Sequence, residues 1–227
     1  FWKFLHHSSS LFKAIQKMIF LRSRVKLTPM KKVSTYLFLI LFSFSATSFA
    51  DDIRDFQIEG ISIGDSLLDY ISEKEILSEI EINKPSYNYL TDEFGEVYLY
   101  KNYEKYDYLS FFVRPKDKNY IIYYIGGTVK YDDKIKQCLT KQKEVYKEIS
   151  SQFNIIRKEE DSFPFPWDSS GKSINHYISL FLKSGDEISV SCSEYEKNIK
   201  IKNNFIDGLT VEILTREVSE WFRNHIN

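Results

Sequence analysis

Between Leu67 and Ile80 the apolar residues Leu67, Leu68, Ile71, Ile76, Leu77 and Ile80 recur at helical spacing. Asp65 or Ser66 can cap a first helix, and Ser72 with Glu75 has the form of a capping box for a second. A helix pair is therefore predicted behind the strand-like opening RDFQIEG. The period then changes to alternation. EVYLY (96–100), YDYLSFFV (106–113) and NYIIYYIGG (119–127) are rich in β-branched and aromatic residues and separated by turn-length polar segments, the pattern of an antiparallel meander. Leu109, Phe111 and Val113 share one face of the second strand, and Ile121, Tyr123 and Ile125 one face of the third. From Asp132 or Asp133 to Phe153 the spacing is helical again, with Ile135, Cys138, Leu139, Tyr146, Ile149 and Phe153 along one stripe. FNIIRKE reads as a short strand and EEDSFPFPWDSSGKS as a Pro- and Ser-rich loop. Three more alternating runs follow, INHYISLFL, EISVSCS and LTVEIL, before a terminal helix in which Val218, Trp221, Phe222 and His225 lie behind a Thr215 cap.

Strand runs and helices without regular βαβ alternation define an α+β chain. The expected architecture is antiparallel sheet packed by a long central helix, an N-terminal helix pair and a C-terminal helix. Cys138 faces inward from the long helix, and Cys192 faces inward with Ile188 and Val190 from a strand. A disulfide between them would pin one to the other.

Charge changes the picture at the N-terminus. The first 50 residues hold eight Lys and Arg and no acid. Met30, Lys31 and Lys32, the uncharged apolar run Val33 to Phe44, and SATSFA with Ser48 and Ala50 have the three-part layout of a signal peptide cleaved before Asp51. The apolar run is too short for a spanning helix, which needs roughly 20 residues. Residues 1–29 read as translated sequence upstream of the true start, residues 30–50 as the signal peptide, and 51–227 as a single domain. That domain carries a net charge of about −9, counted with neutral histidines, which disfavours nucleic acid and anionic lipid surfaces as partners. Export places it in the periplasm or outside the cell, where two Cys 54 positions apart read as one disulfide. After cleavage no stable membrane anchor remains.

Candidate chemistry is sparse. Gly171, Lys172 and Ser173 match the end of a phosphate-binding loop, but the position of its first Gly is Pro166, which has no N–H, and a strand rather than a helix follows. Nucleotide binding is excluded on those grounds. Asp168, Ser170, Lys172 and His176 place an acid, a hydroxyl, a cation and an imidazole close together, a candidate polar site. The alternative, a serine-type hydrolase, would use Ser169, Ser170 or Ser173 with His176, although no GxSxG elbow accompanies them. The plainer reading is a turn in which Asp168 and Ser170 bond backbone amides around Gly171. Eleven Tyr fall between Tyr87 and Tyr131. Of these, Tyr98, Tyr100, Tyr106, Tyr108, Tyr120 and Tyr124 are the candidates for an aromatic binding face opposite the aliphatic core, able to stack on a sugar or a partner chain. Two Cys without well-placed His, and acids without a calcium-loop pattern, predict neither metal nor cofactor.

DDIRDFQIEGISIGDSLLDYISEKEI, the strand pair YDYLSFFV and KNYIIYYIGG, the Cys138 helix, DSSGKS and the Cys192 strand together resemble a family of small exported proteins of unassigned function from marine bacteria. The resemblance covers nearly all of the chain after Ala50 and implies export and a single domain. It implies no activity. A weaker likeness, to the small outer-membrane assembly lipoprotein fold, rests on the ISIG segment opening a helix pair, and the lipid-attachment Cys of that group is missing. The expectation is an exported, non-enzymatic binding or envelope-associated module whose partner is a protein, glycan or small molecule.

Overall fold

The computed structural model describes residues 52–84 and 92–225, which belong to one compact unit spanning 49–227. The signal-peptide and upstream readings of residues 1–50 lie outside the described residues, as do Tyr87 and Tyr89. The strands among the described residues are β1 (Gln57–Ile58), β2 (Ile61–Ser62), β3 (Gly95–Leu99), β4 (Tyr108–Val113), β5 (Ile122–Lys130), β6 (Ile155–Pro164), β7 (Ile174–Leu182), β8 (Glu187–Glu194) and β9 (Gly208–Leu214). The helices are α1 (Glu73–Asn83), α2 (Ile135–Ser150), α3 (Lys197–Asn203) and α4 (Arg216–His225). β1 and β2 form a small hairpin. The other seven strands make one sheet of order β3-β4-β5-β9-β8-β7-β6, antiparallel at every junction. The two predicted strand groups thus merge, because β9 pairs with both β5 and β8.

One sheet face carries the main core. Leu109, Phe111, Val113, Ile125, Ile178, Leu180, Ile188, Val190, Val211 and Ile213 lie buried beneath α2 and the N-terminal segment. Helix α2 presents the predicted stripe, with Cys138 and Ile149 buried and Ile135, Leu139 and Tyr146 packed beside them. Cys138 and Cys192 are joined, with α-carbons 6.0 Å apart. Gln142, also buried on α2, donates both hydrogens of its amide to the carbonyls of His176 and Val190, at 2.8 Å each. The opposite face has a smaller core at one end, where α4 lays Val218 and Trp221 over Phe94, Phe112, Tyr124 and Leu214. Among the described residues no helix is long and apolar enough to cross a membrane.

Several expectations need correction. Only the second helix of the N-terminal pair forms, as α1 with its Ser72–Glu75 capping box. The first is a three-residue 3-10 turn, Leu67–Asp69. Its backbone is taken by the sheet: the N–H groups of Gly64 and Leu67 donate to the carbonyls of Ile122 and Tyr120, and Ile122 N–H donates to Asp65 O. In β5 a bulge opposite Phe112 and Val113 pairs those residues with Tyr124 and Ile122. Ile122 therefore takes the core position predicted for Ile121 and Tyr123. Strand β6 is ten residues long and includes much of the segment read as a loop. Helix α3 was not predicted, and α2 has no acidic cap, starting after Lys134 without a side-chain bond.

Candidate functional site

The loop between β6 and β7 is the tight turn that the plainer reading describes. Phe165 N–H donates to Ser173 O at 2.9 Å, and Asp168 N–H to Phe165 O at 3.0 Å. The Asp168 carboxylate accepts from the N–H groups of Ser170 and Ser173, both at 2.8 Å. The Ser170 side chain foremost, then that of Ser173 and the two backbone N–H groups, hold its pKa well below the usual carboxylate range. Gly171 closes the turn at φ +67°, a conformation that favours glycine. The fully buried Ser173 accepts from Glu196 N–H at 2.9 Å, which ties the turn to the end of β8.

The turn holds out an aromatic ladder. Phe165 stacks on Trp167 with ring centres 4.9 Å apart, and on Tyr195 at 5.3 Å. Phe205 packs against both Trp167 (5.4 Å) and Tyr195 (4.9 Å). Three separate chain segments meet here, and Asp207 organises two of them. Its carboxylate accepts from Tyr195 N–H at 2.9 Å and from Lys200 Nζ at 2.6 Å. Asn204, in the left-handed conformation at φ 55°, ends α3 and turns Phe205 back towards the ladder. Trp167 is 52% exposed, and Phe163 and Phe205 are also partly open. Burial pushes the Tyr195 hydroxyl up to about 12. Sequence reasoning missed Tyr195 and Phe205. Tyr195 continues the outward alternation of Ser189, Ser191 and Ser193, a usable signal, whereas nothing marks Phe205 within its Lys-rich segment.

The ladder stands at one end of a sheet face unlike a core. Ser110, Gly126, Glu212, Ser189 and Ser179 follow one another across five strands, and Tyr108, Thr128, Thr210, Ser191 and Tyr177 form the next row. Thr128 and Thr210 hydroxyls lie 3.1 Å apart, and Ser193 donates to Asn175 Oδ1 at 3.1 Å. Glu212 is half-buried in this carpet, where it accepts from Tyr124 Oη at 2.9 Å. Desolvation raises its pKa to about 7.

The six candidate tyrosines divide. Tyr98, Tyr100 and Tyr108 form a cluster on this face, with Tyr100 68% exposed and 5.4 Å from Tyr108. The other three lie outside this cluster. Tyr106 precedes β4 and lays its ring over Gly127 on the main-core side; a Cβ on Gly127 would come within 2.6 Å of that ring. Tyr120 adopts φ 45° before β5 begins, which breaks the alternation and buries its ring, with its hydroxyl donating to Glu73 at 3.1 Å. Tyr124 lies beneath α4, stacked on Phe112 at 4.7 Å.

His176 does not reach Ser169, Ser170 or Ser173. Cross-strand pairing puts it beside Cys192 on the α2 side of the sheet, and its Nδ1 lies 2.7 Å from Ser162 Oγ. Its Nε2 is 3.8 Å from Glu194. Ser162 lies on the exposed strand β6, where its own N–H donates to Asp161 Oδ1 at 2.7 Å. Lys172 is exposed at the turn, with its N–H on Ser170 Oγ at 3.3 Å. Among the described residues no cluster of three or more His, Cys, Asp and Glu could hold a metal ion. Compared with known proteins, the chain matches no family model, no curated protein and no solved structure.

Proposed function

We propose that the protein is an exported binding module, related to small exported proteins of unassigned function, and that it contacts its ligand through the aromatic ladder at Trp167. The observation that carries this reading is the ladder itself. Phe165, Trp167, Tyr195 and Phe205 come from three segments, and backbone N–H groups donating to the side chains of Asp168, Ser173 and Asp207 fix the backbone on which they stand. An exposed indole on a rigid base offers a flat apolar face with little side-chain entropy left to lose on binding. The ligand class that best fits such a face is a glycan, whose sugar rings stack by their C–H faces. Ser193 and Asn175, at the near edge of the hydroxyl carpet, supply polar neighbours.

The test is a titration with a panel of polysaccharides and peptides, followed by intrinsic tryptophan fluorescence in the parent protein and by calorimetry in both the parent and Trp167→Ala, which lacks the reporting indole. A glycan is expected to shift the emission, and Trp167→Ala to weaken binding by at least ~10-fold, the scale of one stacked aromatic. The variant should melt like the parent because the ring is half exposed. Binding that survives in Trp167→Ala would remove the ladder from the proposal, and response to peptides alone would move the ligand class to protein.

A further inference from the structure

Among the described residues β6 is an outer strand of the sheet, paired with β7 on one side only, and nine of its ten residues are exposed. Such an edge is a template for another strand. Its hydrogen-bonding parity follows from the neighbouring ladder. Phe165 N–H donates to Ser173 O in direct continuation of the register that pairs Phe163 with Asn175. From Arg157 onwards, then, odd-numbered residues turn their backbone groups to β7 and even-numbered residues turn theirs outward. Ser162 agrees, since its N–H donates to the Asp161 carboxylate at 2.7 Å.

The side chains along this edge run Arg157, Lys158, Glu159, Glu160, Asp161, two cations followed by three anions. Charges at an edge usually repel incoming strands. One strand escapes that repulsion, an antiparallel copy of the same sequence. Outward groups lie on even residues, so an added copy must set even residues opposite even ones. Centred on Glu159, that pairing places Lys158 opposite Glu160 and Arg157 opposite Asp161, each twice by symmetry. Centring on Lys158 faces that lysine with itself, and centring on Glu160 brings only acids together. Glu159 on the axis faces its copy, but each is already ion-paired with Arg157 of its own strand. The cations are also held in place beforehand. The Arg157 guanidinium lies 3.5 Å from the centre of the Phe181 ring, and Lys158 Nζ 4.5 Å from that of Tyr146 and 2.5 Å from Glu160.

We infer that β6 is a dimerisation edge, where two copies of the chain join antiparallel about a two-fold axis through Glu159 and continue their sheets into one. The contact is isologous, so it closes at two copies and does not propagate. Ile156, 62% exposed at the bulge that begins the regular part of β6, falls opposite Ser162 of the second copy.

Sedimentation equilibrium of the purified protein at low salt tests this. The expected result is a dimer that weakens as salt rises. The double variants Arg157→Glu/Lys158→Glu and Glu160→Lys/Asp161→Lys each make all four cross-strand pairs like-charged, and each should raise the dissociation constant by at least ~10-fold. Mixed together they restore all four opposite pairs, and a heterodimer should form. A monomeric wild type, a dimer indifferent to both variants, or a mixture that stays monomeric while both variants melt normally would overturn the inference. Should the charge variants fail to fold, Glu160→Pro decides. It deletes one outward N–H and spares the ladder to β7, so loss of the dimer supports the edge and retention overturns it.

Discussion

Glu212 shows how one side chain can set the pH behaviour of the fold. Its carboxyl lies half-buried among Ser189, Gly126 and Tyr124, with Glu187 nearby, and desolvation moves its pKa from 4.5 to about 7. Between those values the folded state holds a proton that the unfolded state releases. Stability therefore falls as pH rises through this window and levels off above pH 7. The full effect of the net shift is about 3 kcal/mol. Glu212→Gln keeps an oxygen to accept from Tyr124 and has no proton to lose. Melting curves of this variant should be flatter between pH 5 and pH 7 than those of the parent, and the variant should be the more stable of the two above pH 7. Equal pH slopes for both proteins would show that Glu212 is better solvated than its place in the carpet implies. Glu212 could not be singled out from the sequence: LTVEIL marks it only as an outward residue, and its withdrawal from water depends on the neighbouring β5, where Tyr124 leans over Gly126 of its own strand.

At the scale of elements, the Cys138–Cys192 bridge ties α2 to β8, two elements 54 positions apart in sequence. In the chain-entropy model a loop of this length stabilises the fold by roughly 4 kcal/mol. Replacing both cysteines by alanine should lower stability by about that amount, read from urea unfolding, and should raise hydrogen exchange most in α2. A uniform increase would mean that helix and sheet unfold together with or without the bridge. Helix, strand and bridge were all legible in advance because each depends on a local period: a helical stripe places Cys138, and strict alternation places Cys192. Legibility failed where tertiary contacts overrode that period. The Leu67 helix is lost because Gly64, Asp65 and Leu67 spend their backbone groups on the start of β5. Tyr120 leaves the expected face through a left-handed backbone, and Tyr124 is on that face but is covered by α4, a partner remote in sequence. The turn around Asp168 was readable for the opposite reason, since the bonds that the Asp168 carboxylate accepts are made within a few residues. What was not readable was that this turn would raise Trp167 against Tyr195 and Phe205.

For the whole molecule, the export proposal and the bridge bear on each other. About 4 kcal/mol is a large share of the roughly 5 to 15 kcal/mol that holds a domain folded, and a thiol-reducing compartment would withhold it. The export proposal thus predicts two linked properties of protein recovered from the periplasm of an expressing cell. Its mass should begin at Asp51, and both thiols should resist alkylation until a reductant is added. The same chain from Asp51, made in a reducing cytoplasm, should carry two alkylatable thiols and melt at a lower temperature until it is oxidised. The two results separate compartment from fold. A protected bridge on a chain that retains residues 30–50 would uphold the helix-to-strand staple and overturn cleavage. Free thiols on a chain starting at Asp51 would uphold cleavage and show that the sheet and its two cores suffice without the covalent tie. A cleaved leader together with a closed bridge would leave the aromatic ladder on a covalently braced scaffold outside the cytoplasm, because the ladder hangs on the turn tied to β8, and β8 is the strand that the bridge anchors.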